Sequence, residues 1–286
     1  KRVFKEMFGF AGWNFIGCTA GLSKDHGVNI LINMFTNPAV NAARGIAFQI
    51  RGIIGQFIGG FSAAITPQIT KEYATGNFKR LHTLIYTGTR FSFFLFLLIS
   101  VPILFEIESL LNLWLGQVPE HTVLFTRLII VYSLSEILSD YLITAQYANG
   151  NIRDYQIAVG GIMLLNIPFS YIMLKLGYFP ETTLMIGILI SQTCFFTRLY
   201  FLKKSIKLNV CSYLKNVYLN VILVSAISII TPLICYLTFE KSITRFIIVG
   251  SISIISTGLA IYFIGCNNKE RVLVKSYIKR IFKKMQ

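Results

Sequence analysis

Charge is what this sequence lacks most. Asp, Glu, Lys and Arg make up 14% of its 286 residues, against roughly 25% in an ordinary soluble domain. With 54% hydrophobic residues and a mean hydropathy of +0.63, so few charges could not cover the surface of a water-soluble globule. Histidine is scarcer still: His26, His82 and His121 fall in separate segments, which argues against a zinc site. The cysteines at 18, 194, 211, 235 and 266 have no metal-ligand spacing and sit mostly in or beside apolar runs, so free thiols are expected. There is no P-loop, GxSxG or HExxH pattern, which speaks against an ATP-hydrolysing motor and the common hydrolases. No metal, cofactor or covalent chemistry is expected.

What is present is a series of apolar blocks of about 20 residues, the length that crosses about 30 Å of hydrocarbon as helix. Eight spans are expected, at 8–35, 40–70, 84–105, 122–148, 154–176, 182–202, 214–238 and 243–265. The connections are short and rich in turn residues: "FTNPAV", "YATGNFK", "LGQVPEH", "YANGNIRD", "LGYFPET" and "FEKSITR". The fold class is therefore an all-α polytopic membrane protein. The first two spans exceed one crossing, so tilt, a bend or extension past the interface is expected there. The chain begins "KRVFKEMF", without Met and without a recognisable signal peptide, which suggests a piece of a longer polypeptide.

The cations set an orientation. Alternate connections hold Lys1, Arg2 and Lys5, then Lys71, Lys79, Arg80 and Arg90, then Arg153, then Arg198, Lys203, Lys204, Lys207 and Lys215, and finally the seven after Gly265. The opposite side has Lys175, Lys241 and Arg245, so about twenty cations stand against about three. That asymmetry puts both termini in the cytoplasm. It also gives the net charge of +15 a topological origin, so no nucleic-acid partner is expected. In residues 266–286, Val274, Ile278, Ile281 and Phe282 alternate with Lys275, Lys279, Arg280, Lys283 and Lys284. This reads as an interfacial amphipathic helix on anionic lipid, or else as a basic end without order.

A few polar groups lie at membrane depth, where ionisable side chains usually face protein or a water-filled cavity. In the first span Asn14, Cys18, Gly21, Asp25 and Asn29 share a stripe flanked by Lys24 and His26. In the second, Asn41, Arg44, Arg51, Gly55, Gly59 and Ser62 share another, and the Gly55–Gly59 spacing would allow close backbone approach. Two readings stay open. The stripes could pair as a buried ionic seam with Asp25 offsetting one Arg. Alternatively, Lys24, Arg44 and Arg51 outnumber Asp25 and line a hydrated cationic cavity for an anionic ligand, with Asn14, Asn29 and Asn41 on its wall. The fourth span carries Ser133, Glu136, Asp140 and Thr144 on one stripe, with Arg127 opposite. Glu136 and Asp140, one turn apart, would suit proton or sodium coupling, or would simply be solvated near the cytoplasmic end. Gln192 and Arg198 read as an interfacial anchor, and Trp114 and Tyr132 as aromatic-belt residues. Pro67, Pro102, Pro168 and Pro232 would kink their spans. The last two spans have almost no polar glue and read as lipid-facing.

The runs "GWNFIGCTAGLSKDHGVNILINMFTNPAVNAARGIAFQI", "FSAAITPQITKEYATGNFKRLHTLIYTGTRFSFFLFLLISVPIL" and "LNLWLGQVPEHTVLFTRLI" resemble the second half of bacterial O-antigen/polysaccharide flippases of the multidrug/oligosaccharidyl-lipid/polysaccharide exporter superfamily. The resemblance runs over nearly all of 8–210, with "FTNPAV" where the family has a Phe-Gly-Pro version. It implies two six-helix lobes related by pseudo-two-fold symmetry. Residues 1–7 would then be a cytoplasmic lead-in, 8–203 one lobe, and 204–265 two additional helices. The N-terminal lobe would be missing from this chain. It further implies a cationic central cavity, to which Lys24, Arg44 and Arg51 map, receiving an undecaprenyl-pyrophosphate-linked oligosaccharide in the bacterial inner membrane. An ion-coupled drug or cation antiporter of the same fold, a membrane glycan polymerase and a structural membrane subunit are the alternatives.

Overall fold

The computed structural model describes residues 2–268, 270–272 and 275, and every element in it is helical. The helices are α1 (Arg2–Phe35), α2 (Pro38–Ala74), α3 (Phe78–Leu115), α4 (Thr122–Asn149), α5 (Arg153–Leu164), α6 (Asn166–Lys175), α7 (Thr182–Ser205), α8 (Val210–Tyr213), α9 (Leu219–Thr238) and α10 (Ile243–Ala260). Two π-helical turns, Leu214–Tyr218 and Ile261–Gly265, extend α8 into α9 and finish α10.

Local chemistry sets most boundaries. The Asn37 side chain accepts from Val40 N at 3.0 Å with Pro38 at the first helical position, so "TNP" stops α1 and starts α2. Asn77 caps α3 and Ser242 caps α10 in the same way. Gly76, Gly116, Gly150 and Gly177 end their helices at φ between 70° and 81°, a region that favours glycine. The expected span 154–176 is instead two helices meeting at Leu165. Pro168 lacks the N–H that would bond the carbonyl four residues back, which accounts for the break. In α3 the backbone leaves helical geometry at Glu106 (φ −106°, ψ 22°), one turn beyond Pro102.

Among the described residues, eight helical rods stand where eight spans were expected. Six of the described segments are both long and apolar enough to cross a membrane: Phe78–Leu115, Thr122–Asn149, Arg153–Lys175, Thr182–Ser205, Val210–Thr238 and Ile243–Gly265. At 34 and 37 residues α1 and α2 are long enough but less apolar, because Gly, Asn, Gln and Ser dilute them.

Helix α4 is the hub, packed on α2, α3 and α7. The main core joins Ile54, Phe96, Leu97, Tyr141, Phe195 and Tyr213 from these elements and α8. A second cluster joins Val28, Ile32, Ala43, Ala47, Phe125 and Tyr132 from α1, α2 and α4. Helices α1 and α2 barely meet; α1 lies on α5 and α6 instead. Close approach in α1 falls on Gly17, where an added Cβ would run into the Gln156 side chain, and on Gly27, where it would sit 2.8 Å from Ile167 Cδ1; the Cβ positions of Gly55 and Gly59 meet nothing within 4 Å among the described residues.

The last two spans are peripheral, as Leu237, Ile255 and Phe263 show by their exposure. Their lack of polar glue is overturned. Arg245 of α10 is buried with its Nε 2.9 Å from Glu106 Oε1, filling the α3 kink. Ser228, Ser253 and Thr257 are also buried, and Asn220 donates to the Ile264 carbonyl at 3.1 Å. Most of the expected amphipathic segment, including Val274, Ile278, Ile281 and Phe282, lies outside the described residues; near its start, Glu270 is ion-paired to Arg90 of α3.

Candidate functional site

The charges of α1 and α2 converge on α4. Lys24, 7% exposed, donates from Nζ to Tyr132 Oη at 2.5 Å, and Tyr132 donates to Glu136 Oε1 at 2.6 Å. Glu136 Oε2 accepts from Arg51 Nη2 at 2.5 Å. Lys24 Nζ is also 3.7 Å from Glu136 Oε1 and 3.5 Å from Asp25 Oδ1. A lysine, a tyrosine, a glutamate and an arginine from three helices thus form one charged chain of short contacts, in which each charge-assisted bond is stronger than a neutral one. The Tyr132 ring adds a face to both cations, with Lys24 Nζ 5.2 Å and Arg51 Cζ 5.3 Å from its centroid.

Arg44 stands apart. It is 7% exposed, donates from Nη1 to Asn29 Oδ1 at 3.0 Å and lies 4.5 Å from the Phe48 ring centroid. Its buried Nε has no partner, and it makes no ion pair among the described residues. It keeps a full charge that the other two cations share with carboxylates.

Beside this network an open cavity of about 260 Å³ lies between α2, α3 and α4, lined by Arg51, Ser62, Ser133, Glu136 and Asp140, with Gly55 and Gly59 at its wall. Asp140 is exposed there and makes no ion pair among the described residues. Ser62 leads away from the cavity through Tyr141 Oη at 3.2 Å to Ser92 at 2.9 Å.

The sequence expectations redistribute accordingly. The two stripes touch where Arg44 donates to Asn29, and their other charges meet through α4. Glu136 and Asp140 line one cavity, but Glu136 also bridges Arg51 and Lys24, and the two carboxylates reduce the expected excess of Lys24, Arg44 and Arg51 over Asp25. Asp25 is near Lys24 but its side chain is 50% exposed, whereas that of Glu136 is 30% exposed. Arg51, at 29%, is the most accessible of the three cations. Asn29 joins through Arg44. Asn14 contacts Cys18 Sγ at 3.9 Å, and neither Asn14 nor Asn41 hydrogen-bonds to the network among the described residues.

Three further expectations fail. Tyr132 is buried in the network and is no belt residue, while Trp114 is exposed. Gln192 donates to Ser135 Oγ at 2.5 Å and accepts from Tyr218 at 3.2 Å, tying α7 to α4 and to the turn before α9. Arg198 is buried with its Nε on Tyr155 Oη at 3.2 Å, so neither residue is an interfacial anchor. The one available hint for Tyr132 was its i, i+4 spacing to Glu136, which puts hydroxyl and carboxylate on one helix face.

No curated protein and no solved structure matches the chain significantly. Residues 28–172, just over half of the chain, match the MatE family, from the last two turns of α1 through most of α6. That stretch contains Asn29, Arg44, Arg51, Tyr132, Glu136 and Asp140, and with the six apolar segments it identifies the chain as a member of the MatE family, a multi-pass membrane transporter.

Proposed function

We propose that the chain is the C-terminal part of a flippase that moves an undecaprenyl-pyrophosphate-linked oligosaccharide across the bacterial cytoplasmic membrane, for O-antigen, capsule or exopolysaccharide synthesis. The observation that carries this reading is Arg44, a buried guanidinium with no carboxylate partner among the described residues, next to the partly accessible Arg51. Guanidinium forks suit phosphate oxygens in pairs, and a charge kept at membrane depth needs a counter-ion.

In this reading residues 8–203 are one lobe, 204–265 an added pair, and a missing N-terminal lobe of the same polypeptide closes the cavity. Open space around the Cβ positions of Gly45, Gly52, Gly55 and Gly59 on α2 supports such a face. Transport would proceed by alternating access around a midplane site. The positively charged end of the bundle lies in the cytoplasm, and the basic tail rests on anionic lipid.

The test replaces Lys24, Arg44 and Arg51 with Ala in the intact protein. Surface polysaccharide should disappear even when the variant is expressed to the parent's level in the membrane. Normal export by the triple variant would remove this reading.

One observation favours a second reading, an ion-coupled drug or cation antiporter. Asp140, which makes no ion pair among the described residues, presents its carboxylate to the same cavity as Glu136. Under that reading, Glu136→Gln with Asp140→Asn should abolish dependence of transport on a proton or sodium gradient and leave glycan display untouched.

A further inference from the structure

Glu136 holds the place that an oxyanion would take between Arg51 and Lys24. Its Oε2 accepts from Arg51 Nη2 at 2.5 Å, and its Oε1 accepts from the Tyr132 hydroxyl at 2.6 Å. Tyr132 in turn accepts from Lys24. Two oxygens on one centre, each met by its own donor, are also what a phosphate group presents to arginine. The Glu136 side chain is 30% exposed and lines the polar cavity, so it is not locked in the core. Beside it Arg51 and Arg44 border one ring, with their Cζ atoms 5.7 Å and 4.5 Å from the Phe48 centroid. Cations thus converge where the chain supplies its own anion.

The other carboxylates nearby do not share this position. Asp140 lines the same cavity without an ion pair among the described residues, and Asp25 lies 3.5 Å from Lys24 with its side chain half exposed. Among the described residues, Glu136 is the carboxylate that stands between Arg51 and an incoming anion. A tethered group competes at high effective concentration, so a singly charged anion has no advantage over it. A diphosphate brings more charge and more acceptor oxygens. The cavity of about 260 Å³ beside Arg51 has space for several waters or a small polyatomic anion.

We propose that Glu136 is a resident substitute for the diphosphate of a lipid-borne cargo, which binds by displacing it from Arg51 and Tyr132. This rests on the reading of the cavity as an anion site, and adds the residue that sets its affinity. Between loads the carboxylate neutralises Arg51 and Lys24, which would otherwise be bare charges at membrane depth.

Equilibrium dialysis of radiolabelled pyrophosphate against the full chain in detergent, at one pH and counted per folded molecule, measures the competition. Glu136→Gln should bind pyrophosphate about tenfold more tightly than the parent, the weight of one charge-assisted hydrogen bond. Asp140→Asn removes the same charge from the same cavity but no bond to Arg51, and should tighten binding less than about threefold. Glu136→Asp keeps the charge but is one methylene short of bridging Tyr132 and Arg51, so its affinity should fall between parent and Glu136→Gln. It carries the test alone if Glu136→Gln does not fold. Arg51→Gln should lose binding, and farnesyl diphosphate should displace the label. Binding by the parent with no tightening in the Glu136 variants, or equal tightening in Asp140→Asn, would overturn displacement and leave the anion site standing. No binding by parent or variants would overturn both, as would binding that survives Arg51→Gln. Failure of farnesyl diphosphate to compete would assign the site to a free anion and overturn the lipid-borne source.

Discussion

Tyr132 accepts from Lys24 and donates to Glu136 at once, so its hydroxyl links the two charged groups. Tyr132→Phe keeps the ring under Lys24 and Arg51 but leaves a buried ammonium one bond short. We expect a stability loss of about 1–3 kcal/mol, read as a lowered midpoint of thermal unfolding in detergent. Glu136→Gln should be worse than Tyr132→Phe, because it strips a carboxylate from Arg51 as well as from Lys24. A Glu136→Gln variant as stable as the parent would mean the network is ornamental. These residues were partly legible beforehand. Lys24, Arg44, Arg51, Glu136 and Asp140 are conspicuous because charge is rare at membrane depth, but Tyr132 was not, since an aromatic in a span has many ordinary uses.

At the scale of elements, glycines that look alike in sequence have opposite roles. A Cβ on Gly265, in the turn that ends α10, would lie 2.7 Å from Phe94 Cζ, and Phe94 is itself buried. Gly265→Ala should cost about 1–3 kcal/mol through overpacking. Gly55→Ala, on the open cavity wall, should change stability by less than about 0.5 kcal/mol. Chemical unfolding of the two variants side by side checks both; equal losses would contradict the packing described here. The α5–α6 break illustrates the complementary case. Pro168 announced it, but apolar length alone merged both halves into one span, because hydropathy is blind to a missing N–H. The C-terminal pair shows the reverse error. Helices α9 and α10 are so apolar that Arg245 and Glu106, 139 residues apart, gave no sign of meeting.

For the whole molecule, orientation is the open quantity that charge distribution predicts most directly. In a background without cysteine, Lys204→Cys and Lys241→Cys report opposite ends of the bundle; both positions are exposed. A membrane-impermeant maleimide added to intact cells should label Lys241→Cys and spare Lys204→Cys until the membrane is opened. The reverse pattern would invert the topology. That the chain is helical and polytopic was decided at the level of composition, since block length and hydropathy set which solvent a segment prefers, whatever its neighbours are. Helix ends were decided nearly as locally, by "TNP" and by the glycines of positive φ. Which polar groups meet was not local at all. Lys24 and Tyr132 are 108 residues apart, and Arg51 and Glu136 are 85. A helical wheel orients a side chain about its own axis but cannot say which helix stands opposite. Only the packing of α1 and α2 onto α4 turned two polar stripes into one charged network, and left Arg44 without a carboxylate partner among the described residues.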